Sequence, residues 1–322
     1  MPQRRRVVRR RKRRLKKKWK VIFSLFTIML LASGAYLFSV YADAKSTVNN
    51  KIHKQVASID SKKTDKKISD EKPLNILLMG VDERQGDTGR SDALMILSVD
   101  PEHNRSQLIS IPRDTRATMV GGDSAQEGTQ DKINHAYAYG GADMSIRTVE
   151  NLLDVDLDYY VKMNMKGVTE MVDAVGGVTV NNTIDWYDEG YYKKGYHYEK
   201  GDIHLDGAQA LGYVRMRHED PKGDVGRNER QRKVIKAIID KGSSFQSVSR
   251  VSDMLDVLGN NMETNMDFAT MKDLFMNYRS AQENLSTYQM TGTNSTVGGV
   301  YYYEVPDEEL QKVHHMIKEY NS

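Results

Sequence analysis

The 322-residue chain contains no cysteine. A disulfide scaffold, a thiolate metal site and a cysteine nucleophile are thereby excluded. It also lacks G-x-S-x-G, H-E-x-x-H and G-x-x-x-x-G-K-S/T patterns, which removes the serine elbow, the zincin helix and the P-loop. The eight histidines are scattered. His135 reads as structural within a helix, and His218 as exposed. These absences point away from covalent catalysis. They leave chemistry that relies on positioning and charge neutralisation, which is most of what phosphoryl transfer requires.

Acidic residues are missing from one region altogether. Residues 1–20 hold thirteen Lys/Arg and no Asp or Glu. The next 21 residues, Val21–Tyr41, carry no charge of either sign. At 1.5 Å per residue that run spans roughly 31 Å, the thickness of a hydrocarbon core. Trp19, Tyr36 and Tyr41 lie near its ends, where amphipathic rings prefer to sit. The run is long for a signal-peptide core and reads as an uncleaved anchor. The positive-inside rule places the N-terminus in the cytoplasm and the rest outside. The basic block then faces anionic lipid headgroups and not nucleic acid. It contains no helix-turn-helix pattern, and the remaining chain is acidic, with 34 basic against 44 acidic residues. The expected organisation is a cytoplasmic tail (1–20), a membrane helix (21–41), a polar stalk (42–73) and an extracellular domain (74–322).

Continuous apolar runs at residues 75–82, 92–99 and 107–111 predict strands buried on both faces. Gln85–Gly89 reads as a loop, as does the glycine-rich stretch around Gly121, Gly122 and Gly128. Helical periodicity appears at Ile133–Tyr139, Met144–Leu153 and Val168–Val175, the last closed by Gly176-Gly177. Strands are expected at Tyr159–Met163 and Val178–Val180. Residues 183–204, rich in Tyr and Gly, read as an exposed hairpin or excursion. Asp206 caps a helix through Tyr213. Further helices are expected near Val251–Leu258 and Phe268–Tyr278, and strands at Leu285–Met290 and Val300–Val305. Pro306 opens a final helix, Asp307–Tyr320. Strands alternating with helices of this length predict an α/β domain, a central mixed sheet covered by helices on both faces, preceded by one transmembrane helix.

Charges gather at the ends of these strands. Asp82 ends the first, Arg113 and Asp114 end the third, and Arg90 and Asp92 stand at the mouth of the second. Antiparallel pairing of the first two strands would bring Asp82 and Asp92 to one edge. Two carboxylates beside several arginines fit a hard cation bridging a phosphate. Farther along, Arg215 and Arg217 precede a helix whose first turns carry Arg227 and Gln231 on one face. Val234, Ile235 and Ile238 continue that side as a buried stripe. Arginines at a helix N-terminus suit an anion, phosphate in particular. The opposing reading is a solvated basic face paired with Glu229 and Asp220. Five or more like charges converging in one partly buried site require an anion, because repulsion there is weakly screened, and a phosphate-bearing ligand is expected at Arg90, Arg113, Arg215, Arg217 and Arg227.

Seven segments, in order, resemble the LytR-CpsA-Psr family: residues 75–82; Gly89-Arg90-Ser91-Asp92-Ala93; Ser110-Ile111-Pro112-Arg113-Asp114; residues 131–137; Gly176-Gly177-Val178; residues 205–211; and Arg215-x-Arg217 with Asp224-x-x-Arg227-x-x-Arg230-Gln231. The match covers roughly residues 74–240, and Tyr301-Tyr302-Tyr303 is similar to some members. The resemblance implies a membrane-anchored extracellular α/β domain. Its activity would be transfer of a glycopolymer, such as wall teichoic acid, from a polyprenyl-diphosphate carrier to a peptidoglycan acceptor, with the lipid tail in an apolar pocket of the domain and the chain anchored in the lipid bilayer. It further implies that Asp82 and Asp92 hold Mg²⁺, or alternatively Mn²⁺. Arg90, Arg113, Lys132, Arg215, Arg217, Arg227 and Gln231 would hold the diphosphate. Arg90 and Arg113 would act in catalysis, with Asp82, Asp92 or Asp224 as the base. Gly226 stands where family members often carry an aromatic residue, and Gly121-Gly122-Asp123 where many have a proline-glycine turn. A transcriptional attenuator or a non-catalytic lipid binder is the competing class. The paired carboxylates favour the transferase.

Overall fold

The computed structural model describes residues 17–82, 89–121, 125–242 and 251–320. The basic block up to Lys16, most of the loop expected at Gln85–Gly89, and Gly122 and Asp123 lie outside the described residues. The chain divides into two compact units, Met1–Asp43 and Ala44–Ser322. Helix α1 (Lys17–Thr47) supplies the first. Its large apolar side chains from Leu25 to Phe38 are more than half exposed. The helix is long and apolar enough to cross a membrane, so those side chains suit a lipid surround.

In the second unit, part of the stretch expected as a stalk is helical and contributes buried side chains. A π-helical turn (Val48–Ile52) and helix α2 (Ser61–Ser69) bury Val48, Ile52, Ile59 and Ile68. These apolar residues are spaced so widely among lysines that the composition conceals them. Asp60 caps α2 by accepting from the backbone N–H of Lys62 and Lys63.

The central sheet contains β1 (Leu74–Val81), β2 (Ser91–Asp100), β3 (Arg105–Ile111), β6 (Tyr159–Asn164), β11 (Met262–Thr264) and β12 (Leu285–Gln289), in the order β11-β6-β1-β2-β3-β12. β1 pairs antiparallel with β2 and parallel with β6, and β3 pairs parallel with β12. The sheet is therefore mixed, as expected. Alternation splits β1 between two cores. Leu77, Met79 and Val81 pack with α3 (His135–Leu153) and α9 (Asp307–Tyr320). Leu74 and Ile76 pack on the other face with Ile68 of α2 and with Tyr278, which follows α8 (Phe268–Asn277). Farther along that second face lie α4 (Met165–Ala174) and α6 (Asp224–Gly242). The two helices expected around residue 140 are present within α3, separated by a kink of non-helical backbone at Gly140 and at Gly141, whose φ is 65°.

Residues 183–204 contain the expected hairpin, exposed along much of its length but anchored by buried rings. Strands β8 (Trp186–Tyr187) and β9 (His197–Tyr198) form a hairpin, and β10 (Gly201–Leu205) pairs with β7 (Val178–Asn182). Trp186 and Tyr198 are buried and stacked, with ring centroids 4.0 Å apart. They join α5 (Gly207–Arg215), α6 and α7 (Val251–Asn261) in a second core. Two short pairs were not anticipated. β4 (Arg116–Thr118) pairs with β5 (Gln130–Lys132), and β13 (Thr293–Val297) with β14 (Val300–Glu304).

Candidate functional site

The register of β1 against β2 slips between Gly80, which faces Ala93, and Val81, which faces Ser91. Asp92 is the extra residue of a β-bulge. A bulge re-aims the side chain it carries, and Asp92 lines the same cavity as Asp82, the residue after β1. The antiparallel pairing inferred from sequence thus brings the two carboxylates to one wall.

That cavity, about 230 Å³, is lined by Asp82, Asp92, Arg113, Arg215, Arg217, Arg227 and Gln231, together with Met165, Tyr191, Val214 and His218. Arg113 arrives from the turn after β3, Arg215 from the end of α5, and Arg227 and Gln231 from the first turns of α6. α5 starts in register because Asp206 and Gln209 form a capping box.

Carboxylates are interleaved with the guanidiniums. Asp92 Oδ1 accepts from Arg113 Nη1 at 2.7 Å, and Asp82 Oδ1 from Arg215 Nη2 at 3.3 Å. Asp224 lies 3.1 Å from Arg227, 3.5 Å from Arg113 and 3.7 Å from Arg217. The anions that the cluster requires are thus partly built in. Burial disfavours the Arg113 charge, yet Asp92, Asp224 and Asp114 outweigh it and raise its pKa. Arg227 is different. Burial, then the charge of Arg113, lower its pKa against the pull of Asp224. Arg113 Nε, Arg227 Nε and Gln231 Oε1 are buried without a hydrogen-bond partner. A second anion entering here would find the Arg113 and Arg227 Nε–H donors unpartnered, whereas Gln231 Oε1, an acceptor, calls for a donor.

Two of the residues expected in the cluster stand apart from this lining. Lys132 reaches Asp114 at 3.0 Å, one step beyond Arg113. Arg90 is exposed at the mouth of β2 and is not among the lining residues. His218 is exposed, as expected, although it borders the cavity. Sequence reasoning did not single out Tyr191. Its loop is held by Asp188, which accepts from four successive backbone N–H groups, Gly190 to Lys193. The D-x-G turn at 188–190 could have revealed it.

A second cavity, about 290 Å³, adjoins the first and is almost wholly apolar. Its floor is the second face of the sheet: Leu78, Gly80, Ala93, Met95, Val161 and Met163. Its walls are α4 and the stripe Val234, Ile235, Ile238 of α6. A side chain at Gly80 would meet the Ala93 Cβ at 3.0 Å, so the small pair keeps the floor low. Met165, Val214 and Gln231 line both cavities. A charged chamber therefore adjoins a greasy one.

Comparison with known proteins agrees with this anatomy. The LytR_cpsA_psr family profile matches residues 37–319. The chain is 42% identical over 315 residues to the polyisoprenyl-teichoic acid–peptidoglycan teichoic acid transferase TagU of Bacillus subtilis, covering 96% of this chain and 98% of that one. The crystal structure of B. subtilis TagU superimposes with a TM-score of 0.62 at 40% identity, over 78% of this chain and 97% of that one. A structure described as TagT bound to LI-WTA gives 0.66 at 31% identity, over 78% and 92%. With the profile spanning most of its length and that identity sustained end to end, the chain belongs to the LytR_cpsA_psr family.

Proposed function

We propose that this protein is a membrane-anchored transferase that moves a teichoic-acid-type glycopolymer from a polyprenyl-diphosphate carrier to peptidoglycan. One observation carries the reading: a cavity lined with arginine adjoins an apolar cavity, with Met165, Val214 and Gln231 lining both. That pairing matches a ligand with a diphosphate head and a hydrocarbon tail. The names of the relatives supply the polymer and the acceptor. The reading also requires α1 to anchor the chain with residues 1–20 in the cytoplasm and the domain outside, which the basic block supports.

In this reaction an acceptor hydroxyl oxygen bonds to the sugar-side phosphorus. The bond from that phosphorus to the polyprenyl phosphate breaks, and polyprenyl phosphate leaves. Arg113, Arg215, Arg217 and Arg227 hold the diphosphate oxygens and stabilise the charge that develops on the leaving group. Gln231 stands where head meets tail and orients the carrier. Asp224 takes the hydroxyl proton. Its Oδ1 is buried and accepts no hydrogen bond in the structure. Arg90 and Lys132 act from the rim.

The donor set at Asp82 and Asp92 suits a divalent cation. Two carboxylates on neighbouring strands face one cavity, and no group of three His, Cys, Asp or Glu side chains is present among the described residues. Mg²⁺ completes its shell from carboxylates, substrate phosphates and water. When bound, it would supply charge neutralisation on the diphosphate, with Mn²⁺ as an alternative.

The test is transfer of a synthetic lipid-linked oligosaccharide to peptidoglycan oligomers, with release of polyprenyl phosphate as a second readout. Asp82→Ala and Asp92→Ala should each slow transfer about 10²-fold. A chelator should do the same, reversed by Mg²⁺. Tight carrier binding without transfer would assign the protein to the non-catalytic class.

A further inference from the structure

A third cavity, about 190 Å³, lies at the other end of β6 from the charged site. Tyr159 opens β6 beside Ile76, whereas Asn164 closes it beside Val81, the neighbour of Asp82. The two ends are five residues apart along the strand, roughly 16 Å. The cavity is walled by the segment before β1, by α2, by Tyr159 and by the start of α8. None of its lining residues borders the arginine cavity or the apolar one.

Its polar groups are left unspent by the protein. Tyr159 is only 2% exposed, and its hydroxyl is buried with no hydrogen-bond partner. Burial pushes its pKa up to about 12, and Thr64, Asp65 and Thr270 of the same lining act on it as well. The hydroxyl therefore lies on the cavity side of the ring. His53 Nδ1, from another wall, is likewise buried without a partner. Orphaned buried polar groups are costly. Two of them around one cavity point to a ligand that completes both.

The sign of that ligand follows from the lining. Asp65 and Asp267 contribute carboxylates, and no Lys or Arg is present. Lysines of the same segment are engaged elsewhere: Lys54 with Glu263, Lys63 with Asp156 and Lys67 with Asp158. A helix N-terminus ordinarily favours an anion. At α8, however, Asn49 and Asp267 already accept from the backbone N–H groups of Phe268 and Thr270. Side-chain donors are also consumed. Thr64 Oγ1 donates to the Ser61 carbonyl at 2.9 Å, and Asn265 Nδ2 to the Asp158 carbonyl at 3.3 Å. What remains is mostly acceptors. An ammonium group carries three donors and no acceptor. Val56 and Ile59 add apolar wall, which a short carbon chain covers and a hydrated inorganic ion does not.

We propose that this cavity binds a small organic ammonium ion, its charged head held by Asp65, Asp267 and the Tyr159 hydroxyl and its carbon chain against Val56 and Ile59. Such a ligand ties the segment before β1 to β6 and to α8. The site is remote from the arginine cluster, so the inference stands or falls separately from the transferase reading.

The experiment uses the full-length protein in detergent micelles and an amine-free buffer. Three probes are titrated: ethanolamine, ethylene glycol as its uncharged counterpart, and potassium chloride at matched ionic strength. Binding is read by calorimetry and by the urea midpoint. Ethanolamine should bind saturably and raise the midpoint, and the other two should do neither. Asp65→Asn, at an exposed position, should weaken ethanolamine binding about 10-fold. Tyr159→Phe removes only the orphaned hydroxyl, so the protein should fold normally and bind ethanolamine about 3-fold more weakly or worse. Transfer by both variants should match that of the unsubstituted protein. Equal responses to ethanolamine and ethylene glycol, or no saturable binding, would show that the cavity holds water only and overturn the proposal. Unaltered ethanolamine affinity in both variants overturns it too, because the amine then binds elsewhere.

Discussion

Arg227 and Arg230 sit three residues apart on α6, and both are buried, at 8% and 4% exposure. They are nevertheless opposites. Arg230 spends its donors inside the protein, on the carbonyls of Tyr213 and Met216 and on the carboxylate of Asp220. Arg232 is tied down similarly, to Ser110 at 2.8 Å and Gln289 at 2.6 Å. Arg227 has one bond to Asp224, a buried Nε with no partner, and Arg113 pressing on its charge. Of the two readings of this helix offered by the sequence, the solvated basic face fails: Arg227, Arg230 and Arg232 are buried, and Glu229 pairs with Lys222 and Lys233. Arg230 and Arg232 fasten the helix to α5 and to the sheet, and Arg227 stands ready for an anion. What distinguishes a structural arginine from a binding one is whether the protein alone satisfies it.

That contrast can be broken, and the largest effect should come from the satisfied side. Arg230→Met leaves Asp220 buried without its partner. About 3–5 kcal/mol of stability should be lost, seen as a fall in the urea midpoint. Arg227→Ala should do the reverse. Transfer should slow about 10²-fold while the urea midpoint hardly moves. Inorganic pyrophosphate should raise the midpoint of the unsubstituted protein and leave that of Arg227→Ala where it was. Equal unfolding by both substitutions would erase the distinction.

Asp188 extends the comparison to an anion satisfied from within. Burial opposes its charge, but the backbone N–H groups of Gly190, Lys193, Tyr192 and Tyr191 together outweigh it and hold its pKa below the usual value. The unfolded chain therefore takes up this proton first as pH falls. The stabilising contribution is complete above about pH 4 and disappears as pH drops through the lower folded value. Asp188→Asn should cost about 1.5–3 kcal/mol at neutral pH, and the acid limb of the stability profile should flatten. An unchanged acid limb would assign the loop's order to its other contacts. The smallest effect belongs to Lys222, exposed and 3.4 Å from Glu229. Lys222→Ala should change stability by less than about 1 kcal/mol.

The parts of the fold legible in the sequence were those with one dominant cause. β1, β2 and β3 are buried on both faces, so their apolar runs are unbroken. The Asp206 cap and the α6 stripe follow equally simple rules. The Trp186–Tyr198 stack was hidden because its rings lie twelve residues apart among Lys, Gly and Asp, and only the hairpin brings them together. β4, β5 and β13 were too short and polar to carry a period. The packed segment before β1 was masked by its lysines. At the site, residues at strand ends and helix starts could be placed because backbone direction alone sends them to one edge. Arg90 follows the same rule but stops at the rim, since a neighbouring bulge aims Asp92, not Arg90, inward. Tyr191 depends on a loop closed by side-chain-to-backbone bonds, for which strand and helix periodicity offers no trace.

Gly226 has a further consequence, which concerns the order in which substitutions can accumulate. A Cβ at this position would lie 1.8 Å from Asp220 Oδ2. No side chain can enter while Asp220 stays where it is. Removing Asp220 first strands the buried guanidinium of Arg230. Replacing Arg230 first strands Asp220. Each single step away from the present trio is therefore penalised, although a coordinated change at all three positions need not be. A lineage carrying glycine here is held in place by its neighbours' charges, for reasons unrelated to catalysis.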